Sequence, residues 1–328
     1  MKFFYKYFIM GIIFSLVFVN NAFTQNVDTG YIKTYEKQNS LEVFPGFYTS
    51  KFNFASKDIF RPNYRLQANT SAYYGIYVTY KWLAVTYGWA IPSTYLDKNV
   101  RFKYTRFEYL VNKDNFSIHP YFNAYNGLLE KTGGLKKESR FVPENDVKFR
   151  NAGIDFRFYD NSKIFSSRAA NSFSEKQMKS AGSYYWLVKP MWQSIKWKEK
   201  EGGRIKDSLT YKLISFNPQW ISITGGLGYN YSFSIRHGNW LISPAGELAV
   251  GGLKMINNPE FKIQPVFSTE ARMNVGYNGS NIYCYLYSIV KLMHFKLGYR
   301  NLNNLDSDFS LVVGYRFRDY KKRILKVL

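Results

Sequence analysis

Charged residues recur at alternate positions inside apolar stretches: Asp155 with Arg157 and Glu270 with Arg272, while Glu247 and Arg316 stand singly in similar settings. A separation of two puts both members of a pair on one side of an extended chain and the intervening apolar residue on the other. Opposite charges arranged this way suit either a water-filled passage or a cross-linked, closed interior, and the spacing leaves both open. The three histidines invite a different chemistry. A lipid hydrolase or acyltransferase needs a nucleophile and a base within about 3 Å, with the base oriented by a third group. His119 alternates with Ser117, Tyr121 and Asn123, His294 shares a face with Lys296, and His237 falls in a turn. No Ser or Asp is spaced so as to select one of them, so an enzyme is not the expectation, although lipid hydrolysis or acyl transfer stays open. Gly225-Gly226-Leu227-Gly228 lacks the Lys-Ser/Thr of a phosphate-cradling loop. His-Glu-x-x-His and Cys-x-x-Cys pairs are absent, and no cofactor or metal is expected.

The elements that carry these residues have a period of two. In 221–235, Ile221, Ile223, Leu227, Tyr229, Tyr231, Phe233 and Ile235 share one face of a strand, while Ser, Thr, Gly and Asn fill the other. This stretch exceeds the usual globular strand of about five to six residues and matches the 9 to 11 or so tilted residues that cross a bilayer. Similar patterns occupy 72–91, 148–160, 269–278 and 309–317. Tyr74, Ile76, Val78 and Tyr80 alternate in the first, Ala152, Ile154, Phe156 and Phe158 in the second, and Leu311, Val313, Tyr315 and Phe317 in the last. Weaker alternation marks 100–111 and 115–125. Between Asn281 and Arg300 the odd positions stay apolar across Lys291, which suits one long strand or a hairpin tightening at Val290 to Leu292. The sum is about twelve strands, an even number of the kind bacterial single-chain barrels use.

The fold expected is therefore all-β, a transmembrane antiparallel up-and-down β-barrel. The expected organisation is a cleaved signal peptide over 1–24, a polar periplasmic lead-in over 25–39, the barrel over 40–317 and a basic tail over 318–328. The signal is read from the basic start Met1-Lys2-Phe3-Phe4-Tyr5-Lys6, the apolar run from Phe8 to Val19 and the small-residue end near Ala22. The single cysteine, Cys284, excludes an internal disulfide. Tyr 29 and Phe 28 supply residues for a lipid face and interfacial girdles. Mean hydropathy is −0.33, unlike that of a helical membrane protein.

Formal charge is +22. Export removes most opportunity for nucleic acid, so outer-membrane lipids with anionic head groups are the expected counter-charge. Short turns at Lys81-Trp82, 112–115, 236–239 and 278–281 alternate with longer polar stretches at 55–70, 126–147 and 198–217, which places the long ones outside. Residues 161–181 break that rule, being long yet on the short-turn side.

The segments Tyr74-Gly75-Ile76-Tyr77-Val78-Thr79-Tyr80-Lys81-Trp82-Leu83, Ser174-Glu175-Lys176-Gln177-Met178-Lys179-Ser180-Ala181-Gly182-Ser183 and Val313-Gly314-Tyr315-Arg316-Phe317 resemble an uncharacterised Bacteroidota family, a domain of unknown function with outer-membrane barrel character. The resemblance covers most of 40–317. It implies the outer membrane of a Gram-negative bacterium and carries no catalytic residues. With it, the expectation is a monomer inserted by the barrel assembly machinery, with Asp155, Arg157, Glu247, Glu270, Arg272 and Arg316 lining the lumen. The expected role is a passive or gated, porin-like route for small polar solutes, and the alternative is a non-conducting surface scaffold or binding barrel acting through its long external loops.

Overall fold

Residues 27–55, 64–69, 72–80, 83–97, 103–132, 140–197, 208–258 and 260–318 are described by the structure, a computed structural model. The expected signal peptide and all but the first residue of the basic tail lie outside them. In chain order the elements are β1 (Ile32–Thr34), β2 (Asn39–Ala55), β3 (Tyr64–Ala68), β4 (Ala72–Tyr80), β5 (Leu83–Ala90), β6 (Lys103–Tyr109), β7 (Val111–Asn112), β8 (Phe116–Thr132) and β9 (Arg140–Tyr159). Helix α1 (Ser167–Ser172), β10 (Glu175–Gln177), β11 (Ala181–Trp197) and helix α2 (Ser208–Ser215) follow. The chain closes with β12 (Gln219–Ile235), β13 (Trp240–Met255), β14 (Gln264–Asn278), β15 (Ile282–Leu297) and β16 (Arg300–Phe317).

Consecutive long strands pair antiparallel, and β16 returns to β2 from Phe317↔Asn39 to Asn301↔Ala55. That last ladder leaves no open edge, which a sheet surrounded by hydrocarbon requires because its backbone polar groups have no water to bond. Twelve strands form the closed ring: β2, β4, β5, β6, β8, β9 and β11 to β16. Ile223, Leu227, Leu248, Val250, Leu286, Leu311 and Val313 stand exposed on its outside. Tyr184, Trp186, Tyr229, Trp240, Tyr277 and Tyr315 are also exposed, all near the end that carries the short turns. Such an aromatic row belongs at a membrane interface.

The two ends of the barrel differ. At the turn end β4 is joined to β5, β6 to β8, β12 to β13 and β14 to β15; at the loop end β2 is joined to β3, β5 to β6, β8 to β9, β11 to β12 and β13 to β14, and β15 reverses tightly into β16 at 298–299. Two sequence expectations need correction here. The stretches 55–70, 126–147 and 198–217 are not simply loops, since they contain β3, the ends of β8 and β9, and α2. The final strand begins at Arg300, not Phe309, because Asn301 to Asp308 pair with β15 and β2 despite their polarity. Of the two readings open for 281–300, the structure has the single strand, 282–297, without a hairpin at Val290. Its odd positions Tyr283, Tyr285, Met293 and Phe295 are buried in the lumen, whereas Ile282, Leu286, Val290 and Leu292 face outward. Periodicity identified the strand, but with apolar residues on both faces it could not say which side met lipid.

One wall is forked. β3 and β4 run as a single broken strand against β2, yet β3 pairs directly with β8 while β4 is separated from β8 by β5 and β6. The β5–β6 hairpin is thus a wedge inserted at the turn end only. At the crotch the Asn126/Leu128 ladder slips around Gly127, whose φ of 85° is accessible to glycine without strain. The backbone N–H of Asn69 donates to the Gly127 carbonyl at 3.2 Å, and its side chain both donates to Asp97 O at 2.9 Å and accepts from Asp97 N at 3.0 Å.

Candidate functional site

The lumen is layered. At the loop end its inward side chains form an apolar core that includes Phe52, Phe54, Phe149, Trp197, Trp220, Leu253, Phe295 and Leu302, with Leu213 and Ile214 of α2 packed into it. Trp220 is fully buried and its indole N–H donates to Gln193 Oε1 at 2.9 Å. Rings touch throughout the layer, with Tyr125 stacked on Phe149 at 4.9 Å and Tyr48 on Tyr104 at 5.2 Å.

Below this core lies a belt of charge. Arg157 on β9 donates to Asp155 at 3.2 Å, to Glu247 on β13 at 3.2 Å and to Glu270 on β14 at 3.4 Å. Lys189 on β11 bonds Glu247 and lies 3.1 Å from Glu270 and 3.7 Å from Asp155. Arg272 meets Glu270 at 3.1 Å. Three cations therefore balance three carboxylates across four strands, and Tyr185 adds a hydroxyl to Glu247 at 3.1 Å. Buried charges persist only when paired and hydrogen-bonded in this way. Across the lumen a second group joins Arg106 to Glu108 at 2.7 Å and to Asp308 at 2.5 Å, with Tyr73 donating to Asp308 at 2.6 Å.

The turn end is closed in part by the chain itself. Residues 160–180, which the sequence puts on the short-turn side despite their length, fold inward as a plug, and β10 pairs with β1 of the lead-in. Local chemistry explains its shape. Ser166 accepts from Ala169 N at 2.9 Å as the N-cap of α1, and Phe173 ends the helix with φ 53°. Phe173 stacks on Tyr285 at 4.4 Å within an apolar cluster with Phe44, Leu241 and Val312. Asn274 donates to Ala170 O at 2.7 Å and Asn278 to Glu175 O at 2.8 Å. Arg316 is the main clamp. It donates to the carbonyls of Phe173 and Gly279 and to Asn278 Oδ1 at 2.8 Å, with its guanidinium 3.9 Å from the Tyr35 ring centroid and 4.0 Å from that of Tyr283.

Between belt and plug a cavity of about 260 Å³ remains. Toward the turn end it reaches Leu110, Asn112 and Ser117 beside the β5–β6 wedge; toward the loop end it stops under Tyr48, Tyr104 and Tyr125. Its wall carries Lys291, whose ammonium lies 6.0 Å from the Tyr121 ring centroid, and oxygens of Tyr121, Asn123, Asn151 and Asp155 that have no hydrogen-bond partner among the described residues. The chamber can thus hold water or a small polar molecule.

All six residues expected in the lumen point inward, but with different duties. Asp155, Arg157, Glu247, Glu270 and Arg272 converge in one network, and Arg316 stands apart, holding the plug. Sequence reasoning missed Lys189, Arg106, Glu108, Lys291, Asp306 and Asp308. Arg106–Glu108, with outward Phe107 between them, has the same pattern as Asp155–Arg157 and was legible by that rule, whereas Asp306 and Asp308 sit in a stretch polar on both faces and Lys189 stands between inward-facing Leu187 and Met191 with no polar alternation to flag it. His119 Nε2 is 3.4 Å from Glu108. His294 meets Asn303 Oδ1 at 2.6 Å on the outer surface, far from His119.

Fold and site define a transmembrane β-barrel with a plugged interior. The chain belongs to the family described as Domain of unknown function (DUF4421), whose model matches residues 26–317. No curated protein sequence matches it. Among solved structures, it is similar to the beta domain of the Bordetella autotransporter BrkA (9% identity, 85% of this chain and 100% of that chain, TM-score 0.43). The translocator domain of the autotransporter NalP from Neisseria meningitidis (9%, 85% and 89%, TM-score 0.41) and an outer membrane channel from Pseudomonas putida F1 (9%, 88% and 100%, TM-score 0.34) also match. Each of these likenesses is one of barrel fold alone.

Proposed function

We propose that this protein is a monomeric outer-membrane barrel of a Gram-negative envelope that works by binding instead of passing solutes, with its turn end in the periplasm and its loop end outside. The observation that carries the reading is the apolar core across the loop-end lumen: a hydrated solute moving past Trp197, Trp220, Phe52 and Phe295 would have to displace several closely packed side chains at once. Moving the plug alone would not open a passage, because the core lies at the opposite end. The charged belt then serves as a cross-link between strands, the second of the two uses its spacing allows. Closure of the ring within one chain supports the monomer, and the reading includes insertion by the barrel assembly machinery. No catalytic step is assigned to His119 or His294.

Planar-bilayer recording tests this directly. The full-length purified barrel is expected to give no steady conductance, and Arg157→Gln or Arg272→Gln no ion-selective current. Stable open channels whose selectivity shifts in those variants would instead establish the porin-like route.

A further inference from the structure

Charge is sorted by face in this barrel. Among the described side chains of the twelve-strand ring and of β3, Glu42, Glu108, Asp155, Glu247, Glu270, Asp306 and Asp308 all lie on the lumen side, and Glu130 pairs in register with inward-facing Leu66. The outward face shows the opposite bias near the loop end, where Lys51, Arg65, Lys131, Lys196, Lys254 and Lys296 project from six strands, β2, β3, β8, β11, β13 and β15. A collar of one sign on a lipid-facing surface repels itself. It is favourable only where a layer of opposite charge meets it.

At one place the collar becomes concave. Register aligns His294, Asn303, Asn53 and Arg65 in one cross-strand row, and Leu292, Leu305, Lys51 and Gln67 in the row below, nearer the membrane centre. With Lys131 these residues line a depression of about 530 Å³ on the outer surface. Leu292 and Leu305 lie in the row nearer the membrane centre, the amides of Asn53, Gln67 and Asn303 stand beside Lys51, Arg65 and Lys131, and no carboxylate is among its described lining residues. The place where apolar wall gives way to cations is also the depth at which a leaflet changes from acyl chain to head group.

We infer that this depression seats the phosphate-bearing head group of an outer-leaflet glycolipid, with its acyl chains lying along Leu292 and Leu305. The inference rests on the outer-membrane reading and adds to it a partner and a place. Arg65 supplies a planar fork for phosphate oxygens, Lys51 and Lys131 supply point charges, and Asn53, Gln67 and Asn303 offer amides to sugar hydroxyls.

The test uses the full-length barrel, folded in neutral detergent and checked by its gel mobility before and after boiling. It is titrated with phosphorylated lipid A, with the same lipid after enzymatic removal of phosphate, and with inorganic phosphate, and bound species are counted by native mass spectrometry. Retention of the phosphorylated lipid is expected, with the dephosphorylated lipid held at least about tenfold more weakly and inorganic phosphate unable to compete at equal concentration. The Lys51→Gln/Arg65→Gln/Lys131→Gln variant is expected to lose about tenfold or more in affinity, while Lys196→Gln/Lys254→Gln/Lys296→Gln, with the same loss of charge, stays near wild type. Arg65→Gln alone gives the same direction should the triple variant fold poorly. Equal weakening by both triple variants, equal retention of the two lipids, or displacement by inorganic phosphate would each overturn the seat. A barrel that fails to enter phosphatidylcholine vesicles would instead defeat the membrane reading beneath it.

Discussion

The loop-end and middle layers of the lumen are both tied together, but by opposite physics. In the first, aromatic and aliphatic side chains exclude water by packing; in the second, three cations and three carboxylates satisfy one another across β9, β11, β13 and β14. The apolar layer draws its stability from area and close contact, so each large side chain matters in proportion to the void it leaves. The ionic layer gains little net stability from being ionic and loses much when one member is removed. The contrast shows how one barrel can be blocked without a separate plug domain: packing seals it, and charge pairing fixes which strands face one another.

Trp220→Ala should have the largest effect, lowering unfolding stability by about 3 to 5 kcal/mol in denaturant titrations that follow gel mobility or intrinsic fluorescence. Trp220→Phe should cost much less, and a small cost for both would mean that the layer is loosely filled. Lys189→Met leaves Glu247, Glu270 and Asp155 short of a cation and should cost about 3 kcal/mol. The double variant Lys189→Met/Glu247→Met should recover much of that, which no second substitution could do for Trp220; failure to recover would erase the distinction between the layers. Arg316→Met removes a buried clamp and should cost about 1 to 3 kcal/mol, read as faster protease cleavage within 161–180 while the ring stays folded.

The smallest effect is pH-dependent and lies outside the ring, in the lead-in. Burial raises the Tyr35 phenol to about 12, against the opposing pull of Arg316, and its hydroxyl donates to Asn278 O at 2.8 Å. A group whose pKa is raised on docking stabilises the docked state fully below its ordinary value of about 10 and loses that contribution as pH climbs through the raised one. The lead-in should therefore loosen between about pH 10 and 12 in hydrogen exchange, and Tyr35→Phe should abolish the pH step. A step that survives this substitution would place the titration elsewhere.

Much of the architecture was legible because a membrane barrel states its two environments along each strand. In β12, Ile221 to Ile235 face lipid at every apolar odd position except half-buried Tyr231, and Ser222, Thr224, Asn230 and Ser232 are buried inside. The same rule gave the inward set Asp155, Arg157, Glu247, Glu270 and Arg272. It failed where both faces are apolar, as in β15, and where both are polar, as at Asn301 to Asp308, since alternation then has no contrast to report. The β5–β6 wedge, too, left no signature beyond short strands.

Composition and alternation by themselves determined that this chain is a transmembrane β-barrel, roughly how many strands it has, and which charges turn away from lipid. Whether those charges line a passage was decided only in three dimensions. Pairing Arg157 with Glu247 and Glu270, filling the loop end with Trp197, Trp220 and Phe295, and folding 160–180 into the turn end all join residues far apart in the chain. Local pattern encodes the environment of each side chain, whereas a closed lumen depends on which distant side chains meet across it.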